Sequence, residues 1–407
     1  MQNTEKTDGR RNTALEEASG EHKEILGKMA REAVRELDRI AHPGQKEKAK
    51  RFAKKLLRRS TAHEDLIFWP AGLLLLGLVE AGHTGEAEHY LDLWFDRGMP
   101  VQNPDDALAG TVMILLWEQT GRTRYREATE KIRNYLASCR RDPEGAVVYG
   151  QKSRNSWIYA DGAGQTAMFW AALARMGKKT AGEPVGLPES DAGAGGEENR
   201  EEALRQLALF WKNGLDERTG LPYHGYDAGS GLKYGIIGWG RAVGWLLLGL
   251  SSLETEKCGE VFPQTGQEDA GTGKAKKQIS DEKKEKNAFW ETAARLCRST
   301  CERIRRDGLF SWQLDCLDGP CDTSASGMIY YSLLRMDLAG SSPLLTKEQY
   351  DKAAETLFSM VDDTGKIGGS SAECIDFAQY RQQYGSNPWG QGASLAFLAL
   401  YEKTRED

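Results

Sequence analysis

The feature that most constrains this chain is a recurrence. Six times, small or turn-forming residues open an apolar run long enough for a buried helix. The openings are Trp69-Pro70-Ala71-Gly72, Asp105-Asp106-Ala107-Leu108-Ala109-Gly110, Asp161-Gly162-Ala163-Gly164, Trp239-Gly240-Arg241, Asp322-Thr323-Ser324-Ala325-Ser326-Gly327 and Trp389-Gly390-Gln391-Gly392. Between these runs lie segments with a single apolar face at three-to-four spacing, at 123–138, 200–212, 286–305 and 347–361. Period-two alternation is almost absent, so strands are expected to be scarce. Six buried helices alternating with amphipathic ones predict an all-α fold, an (α/α)6 barrel or six-hairpin toroid. Its inner ring is wet at one end and is covered by an outer ring. The polar openings then converge on one mouth.

The rest of the chain fits around that ring. Residues 1–20 are polar and are expected to be a disordered tail. Residues 21–407 are expected to form one catalytic domain, starting with a helical pattern carried by Ile25, Met29, Val34, Leu37 and Ile40. Two segments break the recurrence and are read as flexible insertions: 177–200, rich in Gly, Pro, Ala and Glu, and 255–285, polar and Lys-rich.

Composition narrows the function. With 40% hydrophobic and 28% charged residues and a net charge of −6, acids and bases intermixed, the chain lacks the basic footprint of a nucleic-acid binder. No apolar run approaches the roughly 20 residues that span a bilayer, and the polar N-terminus has no signal-peptide core. Seven thinly spread cysteines argue for a reducing compartment and a cytoplasmic protein. Among them Cys297, Cys301, Cys316 and Cys321 lie close in sequence. They do not match a standard zinc spacing, and no His joins them, so they read as small buried hydrophobes with no metal. A phosphate-cradling Gly loop is also absent.

The chemistry-bearing residues sit at the helix openings. Asp105 and Asp161 each start an apolar run. An Asp there is often merely a cap. Facing each other across a mouth, the two are the equipment for glycosidic-bond chemistry. Asp161, flanked by Trp157 and Tyr159, has the more apolar company, and burial there would keep it protonated. His224 lies in a loop between Tyr223 and Tyr226. Trp239, Arg241 and Trp245 offer two flat faces and a planar fork suited to an acidic sugar. The competing reading makes both Trp core residues and pairs Arg241 with a structural acid.

Taken in order, Asn103-x-Asp105-x4-Gly110, Trp157-x3-Asp161-Gly162, Gly220-Leu221-x-Tyr223-His224-Gly225-Tyr226-Asp227, Trp239-x-Arg241-x2-Gly244-Trp245, Thr323-Ser324-Ala325-Ser326 and Pro388-Trp389-Gly390-Gln391-Gly392 resemble glycoside hydrolase families 88 and 105. These are the unsaturated glucuronyl and rhamnogalacturonyl hydrolases. The resemblance covers roughly residues 60 to 402. It implies an (α/α)6 barrel that needs no metal or organic cofactor. The substrate it implies is an unsaturated uronyl oligosaccharide left by a polysaccharide lyase, with rhamnogalacturonan fragments foremost. In that mechanism an Asp protonates C4 of the vinyl ether and activates water for attack at C5. The resemblance makes that residue Asp161, assisted by Asp105. It places His224, Trp239, Arg241, Trp245, Trp157, Tyr226 and Trp389 around the sugar, with Arg241 on the uronate carboxylate. The chain departs from the family pattern in three places. It has three residues between Trp157 and Asp161, no His near Tyr149-Gly150-Gln151, and Ala242-Val243-Gly244 for the frequent Gly-Asn-Gly. The rival readings are another enzyme of this barrel acting on saturated glycosides and a non-catalytic helical scaffold.

Overall fold

The computed structural model describes residues 2–45, 48–49, 65–180, 194–253, 281–340, 343–375 and 379–406. Six of its helices start at or beside the openings singled out above: α2 (Trp69–Glu80), α4 (Ala107–Thr120), α6 (Ala160–Thr180), α8 (Gly240–Ser252), α10 (Thr323–Ala339) and α12 (Pro388–Glu406). Six others alternate with them: α1 (Gln2–Ala41), α3 (Thr84–Asp96), α5 (Thr123–Ser138), α7 (Ala194–Gly214), α9 (Asp281–Cys301) and α11 (Lys347–Ser359). Each even-numbered helix packs on the next, and α12 packs on α2, so the inner ring closes. The (α/α)6 barrel expected from the recurrence is the fold.

The two rings differ as their sequences require. Helix α2 is buried on every side from Pro70 to Val79, and α8 along its whole length. The outer helices bury one stripe. In α5 it is Tyr125, Ala128, Ile132 and Leu136, and in α11 it is Tyr350, Ala353, Ala354, Leu357 and Phe358. That three-to-four spacing covers one face of a helix and leaves the other to water.

The recurrent glycines of the openings act at the inner helix–helix contacts. A Cβ on Gly72 would lie 2.8 Å from Leu108, one on Gly110 2.8 Å from Phe169, and one on Gly164 2.2 Å from the Trp245 carbonyl oxygen. One on Gly244 would lie 2.8 Å from Met328, one on Gly327 2.5 Å from the Ala393 backbone, and one on Gly392 2.4 Å from the Leu73 backbone. Each inner helix therefore carries a glycine where it meets its neighbour, and the six together let the ring close tightly. The approach they permit is helix to helix rather than backbone to ligand.

Two expectations change. Residues 2–20 belong to α1 instead of a disordered tail; the stretch has no Pro to stop a helix, and Ala14-Leu15-Glu16-Glu17-Ala18 favours one. Residues 177–180 extend α6, 194–200 open α7, and 281–285 open α9, while 181–193 and 254–280 lie outside the described residues. Strands are scarce among the described residues, as expected, and they stand at the mouth. β1 (Trp157–Tyr159), β2 (Gly225–Asp227) and β3 (Lys233–Tyr234) form an antiparallel sheet, and β4 (Ser370–Ser371) pairs with β5 (Tyr384–Gly385). Runs of two or three residues are too short to reveal a period. No helix of the described residues is long and apolar enough to cross a membrane.

One turn is used three times to bring the chain from an outer helix to the mouth. Asp142, Asp216 and Asp362 each cap it by accepting backbone N–H groups a few residues on: Asp142 from Gly145 and Ala146 (2.8 Å each), Asp216 from Thr219 (3.0 Å), Asp362 from Thr364 (2.9 Å) and Lys366 (3.0 Å). Gly145 and Gly365 adopt φ of 103° and 89°, which any side chain would strain. Short bridges Arg141–Val147, Leu215–Pro222 and Val361–Ile367 close the turns. Beyond them lie Tyr149, His224 and Ser371.

Candidate active site

Contacts between residues at the starts of the inner helices show that these ends share one mouth. Trp69 of α2 packs on Trp389 of α12 (centroids 5.0 Å apart) and edge-on to Trp245 of α8 (6.1 Å). The Arg241 guanidinium lies 4.7 Å from the Trp239 ring and 5.5 Å from that of Trp389. Trp239 packs on His224 at 4.3 Å, and His224 on Tyr159 at 4.9 Å. Tyr159 meets Tyr149 at 4.7 Å and Trp157 at 6.4 Å. An aromatic belt thus runs from Trp157 round to Trp69.

The two acids fall inside this belt. Of the adjacent pair Asp105 and Asp106, Asp106 does the capping: its carboxylate accepts the backbone N–H groups of Gln102 (2.8 Å) and Asn103 (3.2 Å). Asp105 is left to accept a hydrogen bond from the Tyr149 hydroxyl on Oδ2, and its Oδ1 is buried without a partner. Burial dominates its electrostatics. Loss of hydration pushes its carboxyl up to about 8, the Tyr149 hydrogen bond pulls the other way, and the nearby Asp161 charge adds to the rise. The Tyr149 hydroxyl is held well above its usual range by burial and by Asp105. The order foreseen from sequence is therefore reversed. Asp105 is the sealed acid, 1% exposed, whereas Asp161 keeps 19% of its side chain open. The opening of α6 leaves Asp161 at the mouth, so its aromatic neighbours do not bury it.

His224 is 2% exposed, with Nε2 3.4 Å from Asp161 Oδ2 and Nδ1 3.1 Å from the Tyr380 hydroxyl. Arg241 departs from its expected use. Its Nη1 donates to the Ser371 carbonyl (2.8 Å) and hydroxyl (2.7 Å), its Nη2 donates to the Ala372 carbonyl (2.9 Å), and Asp322 stands 3.9 Å away. Asp322 also caps α10 and accepts the Ser371 N–H at 3.2 Å. The guanidinium grips the β4 strand and a buried acid, as the competing reading of this segment has it. Trp239 and Trp245 are 2% and 1% exposed.

Trp157 and Trp389 lie in the belt, and the Trp389 indole N–H donates to the Ser371 carbonyl at 2.8 Å. Tyr226 does not. It stands opposite Ile158 across the β1–β2 pair, so it shares the buried face of Ile158 and packs on Phe210 of α7 at 5.9 Å. Trp157 and Tyr159 alternate to the other face, toward the mouth. The cysteines divide as well: Cys297 is buried, whereas Cys316 is exposed.

Sequence reasoning missed Tyr149, Tyr380 and Ser371. A usable signal was the turn Asp142-Pro143-Glu144-Gly145, echoed by Asp362-Asp363-Thr364-Gly365, which precedes Tyr149 and Ser371 by a few residues. Cys374, in the same segment as Tyr380, senses both Asp161 and Arg241, and burial pushes its thiol up to about 12.

Comparison with known proteins agrees with this architecture. The model of glycosyl hydrolase family 88 matches residues 42–405. The unsaturated rhamnogalacturonyl hydrolase YesR of Bacillus subtilis is 23% identical over 380 residues, 88% of this chain and 96% of the relative. Among solved structures, a possible family 105 member from Klebsiella pneumoniae superposes with a TM-score of 0.63 at 17% identity, covering 83% of each chain. A family 105 glycoside hydrolase from C. acetobutylicum gives 0.59 at 22% identity, covering 83% of this chain and 94% of its own. An unsaturated glucuronyl hydrolase specific for heparin gives 0.60 at 15% identity, covering 94% of this chain and 98% of its own.

Proposed function

Because the chain belongs to glycosyl hydrolase family 88, we propose that the acid pair at its mouth removes a 4,5-unsaturated uronic acid from the non-reducing end of lyase-generated oligosaccharides, rhamnogalacturonan fragments foremost. The observation that carries this reading is the pairing of a sealed acid held near 8 with an open one beside it. Asp105 in that site keeps its proton at neutral pH, and protonation of an enol ether consumes one.

Asp161 is the member a substrate can touch, so the proton reaches C4 through it. The carboxylate then takes a proton from water as the water oxygen bonds to C5. The pair ends the addition with the proton count it began with. The hydrated product is a hemiketal that opens and releases the neighbouring sugar. The half-exposed Trp69 and Trp157, with Tyr159, supply faces for the sugar rings. The Arg241 charge lies under Trp239 and Trp389, where it fixes the wall behind the sugar. The chain is read as one catalytic domain working in the cytoplasm.

Incubation with lyase-digested pectin, glycosaminoglycans and algal polysaccharides tests the reading. Hydration destroys the conjugated double bond, so ultraviolet absorbance is expected to fall with at least one substrate. Persistence of that absorbance with all of them would overturn the proposal. Asp161→Asn is expected to lower turnover by roughly 10²–10⁴-fold, the usual contribution of a positioned acid–base group, without unfolding the protein.

A further inference from the structure

Tyr380 lies outside every motif discussed for this chain, on the segment between β4 and β5. Its ring packs on Trp239 at 5.4 Å and on Trp312 at 5.9 Å. Its hydroxyl accepts the Ile236 N–H at 3.4 Å and meets His224 Nδ1 at 3.1 Å. On the other side of the imidazole, Nε2 faces Asp161 Oδ2 at 3.4 Å.

The donor and acceptor roles along this line can be assigned. A carboxylate at Asp161 can only accept. His224 Nε2 must then carry a hydrogen toward it. A neutral imidazole with hydrogen on Nε2 has an acceptor at Nδ1, and Nδ1 needs a donor. The Tyr380 O–H is placed to be that donor, with its oxygen accepting from Ile236. The chain Ile236 N–H to Tyr380 O–H to His224 to Asp161 then runs in one direction without conflict.

Resting on the function proposed above, we propose that Tyr380 is a positioning residue that holds His224 in the Nε2–H tautomer, turned toward Asp161. His224 in that form stabilises the Asp161 carboxylate that appears when the proton leaves for C4. The bond broken is Asp161 O–H, the bond formed is C4–H, and the new negative charge lies 3.4 Å from the His224 Nε2. Tyr380 touches no reacting atom and acts through the imidazole.

Tyr380→Phe keeps the ring and its packing and removes the hydroxyl, so it tests this directly. Nitrogen-15 NMR of the wild-type imidazoles, with the His224 signals assigned by their loss in His224→Gln, is expected to show Nε2 protonated and Nδ1 bare. In Tyr380→Phe the His224 nitrogen shifts are expected to move toward a tautomer mixture. With a lyase product as substrate, kcat should fall roughly ten- to a hundredfold at nearly unchanged KM, the usual size for removing a group that orients a functional His. A wild-type His224 protonated on Nδ1 would overturn the proposal. So would a Tyr380→Phe variant with unmoved His224 shifts, even if its activity fell. The NMR arm needs no substrate, so it stands if the assigned reaction fails, and absence of turnover on every lyase product would count against the reaction alone.

Discussion

Asp105 and Asp106 are neighbours with opposite duties. Asp106 satisfies the backbone at the entry to α4, and Asp105 is sealed against Tyr149. Since burial raises its pKa, the folded protein binds a proton at Asp105 up to about 8, which the unfolded chain releases near the ordinary value of about 4. The stability this proton supports is complete below that lower value and declines as pH climbs toward 8. Asp105→Asn has nothing to titrate there, so its Tm should gain on wild type steadily between pH 4 and 8 in thermal melts. Its turnover should fall about a hundredfold or more. In the wild type, kcat/KM is expected to decline as the pH passes about 8, where the pair loses its proton. Arg241 gives a second test at this scale. Arg241→Ala removes the counter-charge beside Asp322, which is fully buried, and one hydrogen bond from each of two carbonyls. The expected cost is about 3–5 kcal/mol in denaturant titrations, the size seen when one partner of a buried pair is removed. A change confined to substrate affinity would contradict the anchoring role.

At the level of helices and strands, the inner ring depends on where side chains are missing. Gly164→Ala would set a methyl 2.2 Å from the Trp245 carbonyl oxygen, and neither α6 nor α8 can yield without disturbing a further contact. The expected loss is about 1–3 kcal/mol or more, read as a lower midpoint in thermal or urea unfolding. The same elements explain what could be read from sequence. The helices were legible because a 3.6-residue pattern persists over several turns and recurs six times. Asp105, Asp161, His224 and the Trp239 segment were legible because they stand at the edges of those patterns. Tyr149, Tyr380 and Ser371 were not, since turns, loops and a two-residue strand carry no period. The burial of Asp105 rather than Asp161 was illegible for another reason: it depends on Tyr149, which comes from a turn 44 positions away. The Arg241 fork looked free because its partners, Ser371 and Ala372, lie some 130 residues on.

Over the whole molecule, closure depends on the first helix as well as the last. Helix α1 packs on α2, α3 and α12, with Met29, Ala30 and Ala33 fully buried and Leu37 nearly so. Its backbone is also in use: the Met29 carbonyl accepts from Gln391 at 3.0 Å. Removing residues 1–41 is expected to abolish the cooperative thermal transition and drive aggregation, measurable by circular dichroism and light scattering; a soluble, sharply melting product would show that the ring closes without α1. The Arg241–Ser371–Asp322 clamp has a reach of its own. It rivets the wall that carries Tyr380 to the floor of the barrel at a single spot, away from Asp105 and Tyr149. Chain beyond that rivet, Tyr380 excepted, can be lengthened, trimmed or grafted from a cousin while Asp105 and Tyr149 stay put, so a change of sugar diet is cheapest to engineer there.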